Sequence, residues 1–244
     1  MRVDVALVGG TGMGAPLAEL GGSPMFVPTP AGGLRGKVVE LPGLRLIYVS
    51  RHSAGHKVPP HLVNYKAMAL GLRKLGVKAC FATAAVGSIR NMWGPGTLVL
   101  CSDYLDFSSR NITLFDDSIT HRDFSEPFSK MGREAILAEA NSTGVAVVPD
   151  GVYVNANGPR YETPQEIRTY RELGGDVVGM TAASEAIAMR EAEVPYTCLA
   201  VVTNLAAGLT DGVLGHEEVV DVMTERGPAV LKLLLGAAER VASE

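Results

Sequence analysis

The sequence predicts an α/β protein, a single domain over residues 1–244 with a central mixed β-sheet flanked by helices. Three observations carry that expectation. Short β-branched runs alternate with helical stretches along the whole chain, and neither a low-complexity linker nor a repeat divides it. The runs at 79–85 and 196–203 are apolar without alternating polar positions, as strands covered on both faces are. The 28 glycines and 14 prolines imply many tight turns and close backbone approaches.

The elements follow in order. Residues 3–8, Val-Asp-Val-Ala-Leu-Val, form a first strand that runs into Gly9-Gly10-Thr11-Gly12. Only residues 15–20 remain for a helix before Gly21-Gly22-Ser23-Pro24 stops it. Strands are expected at 37–41 and 44–49, then a helix at 61–75 behind Pro59-Pro60. Further strands fall at 79–85, 97–101, 151–155, 176–179 and 196–203. Helices fall at 130–142, 164–173, 184–192 and 216–242, where the apolar period is helical.

Charge narrows the classes of partner. Lys and Arg number 22 against 26 Asp and Glu, a formal net charge of −4. No global positive field exists to hold a nucleic acid or an anionic membrane, so any phosphate must be gripped locally. Cys80, Cys101 and Cys198 sit singly in apolar runs and read as buried small hydrophobes in a reducing compartment. The N-terminal apolar run is too short for a signal peptide, and no run reaches the roughly 18 residues of a spanning helix. A cytoplasmic protein is expected.

Function in such sheets gathers where strands end in loops. Val8 leads to the glycine cluster, Val49 to Ser50-Arg51-His52, Phe81 to Thr83-Ala84-Ala85-Val86-Gly87-Ser88, and Val202 to Thr203-Asn204. Four strand ends could share one cleft. The cluster Gly9-Gly10-Thr11-Gly12-Met13-Gly14 invites a dinucleotide-binding reading, hence an NAD-dependent oxidoreductase. Its following helix is short, no acidic residue ends a second strand to hold a ribose, and no Gly-Lys-Ser/Thr ending follows. A turn whose N–H groups and Thr11 hydroxyl hold a small anion fits better. The loop after Arg51-His52 carries His56, Lys57 and His61, and the Arg51 fork matches phosphate oxygens. One inorganic phosphate could be held here by main-chain donors, hydroxyls and one cation.

These residues carry a resemblance. Gly-Gly-Thr-Gly, Arg51-His52 with Val63-Asn64-Tyr65-Lys66-Ala67, the 83–88 string, Asn157-Gly158-Pro159-Arg160-Tyr161-Glu162-Thr163, Val178-Gly179-Met180-Thr181 and Thr203-Asn204-Leu205-Ala206-Ala207-Gly208 occur in register. Together they resemble the trimeric purine nucleoside and methylthioadenosine phosphorylases. The resemblance implies a nucleoside phosphorylase-like fold and cleavage of a purine nucleoside by inorganic phosphate to free base and pentose 1-phosphate. It implies no metal and no organic cofactor, phosphate being a co-substrate. It further implies a homotrimer or a dimer of trimers.

Carried over residue by residue, it gives Thr11, Arg51, His52, the main chain at Ala84 and Thr181 as the phosphate shell. Met180 would lie under the ribose, with Val86, Gly87 and Tyr161 completing the nucleoside site. Asn204 stands where members that act on 6-aminopurines place Asp. An amide can donate to O6 and accept from N7–H, which suits hypoxanthine or guanine. Glu162 would accept from N1–H, though a helix N-terminal acid is its ordinary reading. His216, in Gly215-His216-Glu217-Glu218-Val219, looks like the version that meets a 5′-hydroxyl, or it merely begins the last helix.

Other segments look more like the methylthioadenosine branch: the Arg51-His52 loop, Val63-Asn64-Tyr65, Met180-Thr181, and the string at 121–128 that includes His121 and Phe124. In that branch the residue at the His121 position reaches a neighbouring subunit's sugar pocket. The chain thus combines a methylthio-type frame with an oxopurine-type base reader. Inosine or guanosine is the expected substrate, with methylthioinosine or methylthioadenosine as the alternative. A nucleoside-binding module without catalysis is a further alternative.

Overall fold

A computed structural model describes residues 2–53, 55, 57–212 and 215–243, apart from the side chain of His216. Its centre is a nine-stranded mixed sheet. Strand β1 (Val5–Gly9) is buried throughout and lies parallel to β4 (Leu44–Ser50) on one side and to β5 (Ala79–Ser88) on the other. Outside β4 an antiparallel pair, β3 (Gly32–Leu41) and β2 (Ser23–Thr29), forms the edge. On the far side come β8 (Val177–Gly179), β7 (Val148–Asn155), β6 (Leu98–Asp106) and β9 (Tyr196–Leu205), in that spatial order.

Strand β9 also pairs with β5, so five strands close into a ring: β5, β8, β7, β6, β9 and back to β5. Strand β5 is the hinge of the arrangement. One of its edges bonds β9 along most of its length. The other edge bonds β1 over Ala79–Ala82 and then β8 at Gly87 and Ser88. Residues 83–86 lie between these two partners, and there a cavity opens.

Side-chain alternation divides the core between the two faces of the sheet. Ala6 and Val8 pack with Met68 and Leu72 of α2 (Tyr65–Leu75) and with Ala186 and Met189 of α5 (Ala182–Glu191). Val5 and Leu7 pack on the opposite face with Ile136 of α3 (Lys130–Thr143) and Leu234 of α6 (His216–Ser243). Burial on both faces is what the unbroken apolar runs of β5 and β9 called for.

Three local expectations need adjustment. Residues 23–29, to which the sequence assigned no element beyond the helix stop at Gly21-Gly22-Ser23-Pro24, form β2; Pro24 and Pro28 are tolerated because the strand is a sheet edge with mostly exposed side chains. The helix expected from residue 61 begins at Tyr65, after a single 3-10 turn, because the Asn64 side chain accepts the Ala67 N–H and sets the cap there. Strand β6 extends to Asp106, paired in parallel with β7. The short first helix, α1 (Gly14–Glu19), is as brief as the sequence implies. All three cysteines are buried and unpaired. Among the described residues, no helix is long and apolar enough to cross a membrane.

Candidate active site

The cavity of about 420 Å³ beside residues 83–86 collects the ends of β1, β4, β5, β8 and β9. Eleven sequence-predicted residues line it. Thr11, Arg51, His52, Ala84, Val86, Gly87, Tyr161, Glu162, Met180, Thr181 and Asn204 all belong to its wall. His216 and His56 lie outside the described residues, although Val219, one turn along α6 from His216, lines the cavity. His121 is exposed and Phe124 half-buried, and neither lines this cavity. Their segment instead borders a second cavity of about 580 Å³, with Arg122, Asp123 and Glu126 on its wall.

Arg51 behaves differently from the solvated fork that its loop position suggests. Its side chain is buried, and Nε and Nη2 donate to Glu185 Oε1 and Oε2 at 2.5 and 2.8 Å. Nη1 donates to the Thr83 carbonyl at 2.9 Å. Burial alone would make the guanidinium easier to deprotonate, but the Glu185 carboxylate more than offsets this and its pKa is raised. Three of its five N–H bonds are thus committed. The passage of this guanidinium explains a glycine: a Cβ at Gly10 would lie 2.5 Å from Nη1 and 3.1 Å from the Thr83 oxygen. At Gly10 the close approach is therefore to a protein cation, whereas Gly9 and Gly12 lie against Leu17 and Met223.

His52, buried beside it, makes a 2.8 Å contact from Nδ1 to the Val58 carbonyl. A carbonyl only accepts, so Nδ1 carries the proton. The Val58 N–H in turn donates to the His52 carbonyl at 3.0 Å, which draws the 52–58 loop back on itself. Thr181 occupies the N-cap of α5 without a side-chain cap bond. Instead the Tyr153 hydroxyl accepts the N–H groups of Thr181 and Ala182 at 3.2 and 3.4 Å, leaving the Thr181 side chain on the cavity wall.

Beside Tyr161 and Glu162 the local chemistry of α4 (Pro164–Glu172) sorts two acids. Thr163 and Glu166 form a reciprocal capping box, and Arg160 pairs with Glu166. Glu166, not Glu162, thus does the work of the helix N-terminal acid. Glu162 is turned inward, 9% exposed, and burial pushes its carboxyl above the ordinary carboxylate range. Gly158 supports the same wall at φ +61°, where a Cβ would strike Met180 Sδ at 2.3 Å.

Asn204 owes its position to a bulge. The register between β5 and β9 shifts so that Val86 faces Val202 and Gly87 faces Asn204, with Thr203 as the extra residue. Thr203 and Asn204, adjacent in sequence, consequently both reach the cavity. The single proton of the Thr203 hydroxyl is shared between Val86 O at 3.2 Å and Asn204 Oδ1 at 3.0 Å, while Asn204 Nδ2 donates to Leu205 O at 2.9 Å. Each end of the amide is fixed and each retains one further hydrogen-bonding position.

The sequence reading missed Glu185, and it named Thr203, Pro59, Pro60 and Val219 without giving them a place in the site. It also named Lys57 only as a loop residue, whereas Lys57 lines the cavity. Among the described residues, no group of three or more His, Cys, Asp or Glu is placed to hold a metal ion.

A family model for the phosphorylase superfamily matches residues 4–239. The chain belongs to this family. A relative from Pyrococcus furiosus, 6-oxopurine nucleoside phosphorylase, is 39% identical over 98% of this chain and 94% of its own length. Another, from Methanopyrus kandleri and named a probable S-methyl-5′-thioinosine phosphorylase, is 40% identical over 95% of this chain and 90% of its own. Among solved structures, methylthioadenosine phosphorylase from Schistosoma mansoni superposes with a TM-score of 0.87 at 27% identity, over 100% of this chain and 92% of that one. The phosphorylase resemblance and the flanked mixed sheet expected from the sequence both stand.

Proposed function

We propose that the protein is a purine nucleoside phosphorylase, a pentosyltransferase that cleaves inosine or guanosine with inorganic phosphate to free base and ribose 1-phosphate. What carries this reading is one cavity lined together by a fixed amide, Asn204, an inward carboxyl, Glu162, and the donors Thr11, Arg51, His52 and Thr181. Thr11, Arg51, His52, Thr181 and the Ala84 main chain would hold phosphate, and Met180 would underlie the ribose. A phosphate oxygen forms the new bond to C1′ while the C1′–N9 bond breaks and its electron pair passes to the purine. Positive charge gathers on the sugar and faces the anion. N7 takes up a proton, which hydrogen phosphate gives up overall as it becomes the sugar phosphate, and Asn204 Oδ1 accepts the N7–H hydrogen bond while Nδ2 donates to O6. Similarity to the Pyrococcus furiosus relative supports this substrate class.

One structural feature favours a second reading, methylthioinosine, for the same base site. Val219 gives the cavity an apolar contact at the end of the chain segment begun by His216, and an apolar wall suits a methylthio group. A phosphorolysis panel of inosine, guanosine, adenosine, methylthioadenosine and methylthioinosine tests both. Release of base from inosine or guanosine at the highest kcat/KM supports the first reading, and a preference for adenosine or methylthioadenosine would sink both. The proposal extends to a cytoplasmic, purine-salvage homotrimer or dimer of trimers, in which His121 and Phe124 of one copy meet the sugar pocket of the next.

Two predictions arise from the base site. Asn204→Asp replaces a donor with a second acceptor, leaving O6 of an oxopurine unpaired at a cost of roughly 1–3 kcal/mol. The inosine-to-adenosine ratio of kcat/KM is therefore expected to fall about 10-fold or more. An unchanged ratio would place the base reader elsewhere. Glu162 must be ionised to accept from N1–H, and its raised pKa means that it protonates at a higher pH than an exposed glutamate does. Accordingly, kcat/KM for inosine declines as pH falls, with an inflection above the ordinary glutamate range. Glu162→Gln should remove that inflection; its persistence in the variant would assign it to another group.

A further inference from the structure

The proposed phosphate site rests on a buried group to which the chemistry so far gives no part. Glu185 is fully buried on α5, and both its oxygens are occupied: Oε1 accepts Arg51 Nε, and Oε2 accepts Arg51 Nη2 and the Tyr196 hydroxyl, the last at 2.6 Å. Tyr196, at the start of β9, is itself 2% exposed. The chain Tyr196–Glu185–Arg51–Thr83 O therefore runs through the protein interior and ends on a side chain that lines the cavity.

From this arrangement we infer that Glu185 and Tyr196 are positioning residues for phosphate. They fix the Arg51 guanidinium so that its two remaining N–H bonds, one on each terminal nitrogen, meet the anion in a set direction. This inference rests on the anion-site half of the phosphorylase reading.

The geometry makes a counter-intuitive demand. Glu185 neutralises Arg51, and its negative charge repels phosphate through the same guanidinium. If net charge alone governed anion binding, removing that carboxylate would tighten phosphate. If direction governs it, removal loosens phosphate, because an unanchored guanidinium loses the planar fork that makes arginine selective. The two accounts differ in sign.

The test uses the full-length protein with inorganic phosphate as the probe, read two ways: KM for phosphate and for inosine separately, and the Tm rise given by phosphate without nucleoside. Glu185→Gln removes the charge, and Glu185→Asp keeps it but shortens the reach by one methylene. Tyr196→Phe deletes one hydrogen bond and keeps the ring. The loss of one charge-assisted contact corresponds to about 10-fold, so both Glu185 variants are expected to raise the phosphate KM by about that factor. Tyr196→Phe is expected to raise it several-fold, with the inosine KM held within about 2-fold.

A tighter phosphate KM in Glu185→Gln would overturn the inference. So would changes in both KM values and kcat that simply track a lowered Tm, which is the mark of a structural role alone. Should Glu185→Gln fail to fold, Glu185→Asp and Tyr196→Phe decide, since a phosphate KM equal to wild type in both would also overturn it. A wild-type Tm rise with phosphate that depends on Glu185, together with no release of base, would retire the phosphorylase reading while leaving this inference standing. No wild-type Tm rise at any phosphate concentration would retire the inference itself.

Discussion

Asn204→Ala is expected to lower kcat for inosine phosphorolysis by about 100- to 1000-fold, the usual loss when a donor aimed at developing charge is removed. The basis is the bulge in β9. It places Thr203 against the Val86 carbonyl and lets its hydroxyl hold Asn204 Oδ1, while Leu205 O holds Nδ2. An amide fixed at both ends need not reorganise when the purine takes on negative charge. Because the interaction strengthens only as the C1′–N9 bond breaks, the loss should fall mainly in kcat. Cys198→Ser provides the comparison, since Cys198 lies on the same strand, fully buried and away from the cavity. Steady-state kinetics with saturating phosphate check this. Equal losses in the two variants would remove Asn204 from the chemistry.

Arg51→Met should lower folding stability by about 3–5 kcal/mol, the scale on which removal of one partner strands the other in a buried pair. Glu185 would be left as a buried carboxylate with only the Tyr196 hydroxyl as a neighbouring donor. The double variant Arg51→Met with Glu185→Gln should recover a large part of the loss, because no buried charge then remains. Both lack the phosphate reader and should show no Tm rise with phosphate. Urea denaturation followed at constant pH measures the stability difference. A single variant with the wild-type midpoint would mean that water reaches the pair.

Much of this site was legible because it is built from strand ends, and strand ends announce themselves when an apolar run meets small and polar residues. Thr11, Arg51, Ala84 and Asn204 were all found that way. Glu185 was not, for a physical reason: it sits 134 positions from Arg51 in sequence, on a helix that also carries Arg190 and Glu191, and no periodicity marks which acid pairs across such a gap. Thr203 was named at its strand end but given no role, because a bulge changes which side chains face a cavity without changing composition. Strand β2 escaped because Pro24 and Pro28 read as breakers unless the strand is known to be an edge. His121 and Phe124 point to a different limit. The cavity of one chain does not include them, and the part proposed for them requires a second copy of the chain.

The closed circuit of β5, β8, β7, β6 and β9 has a consequence for how the molecule breathes. A ring of paired strands offers no free edge at which pairing can begin to unravel, whereas β2 at the other end of the sheet is bonded along one side only. Local opening should therefore start at the β2–β3 margin, and amide exchange there should be fast compared with that of β5 and β9. The part of the cavity wall formed by Ala84–Gly87, Val178, Gly179, Thr203 and Asn204 belongs to the ring. Its shape should persist through the small fluctuations that fray the rest of the sheet, and should be lost only when the whole protein unfolds.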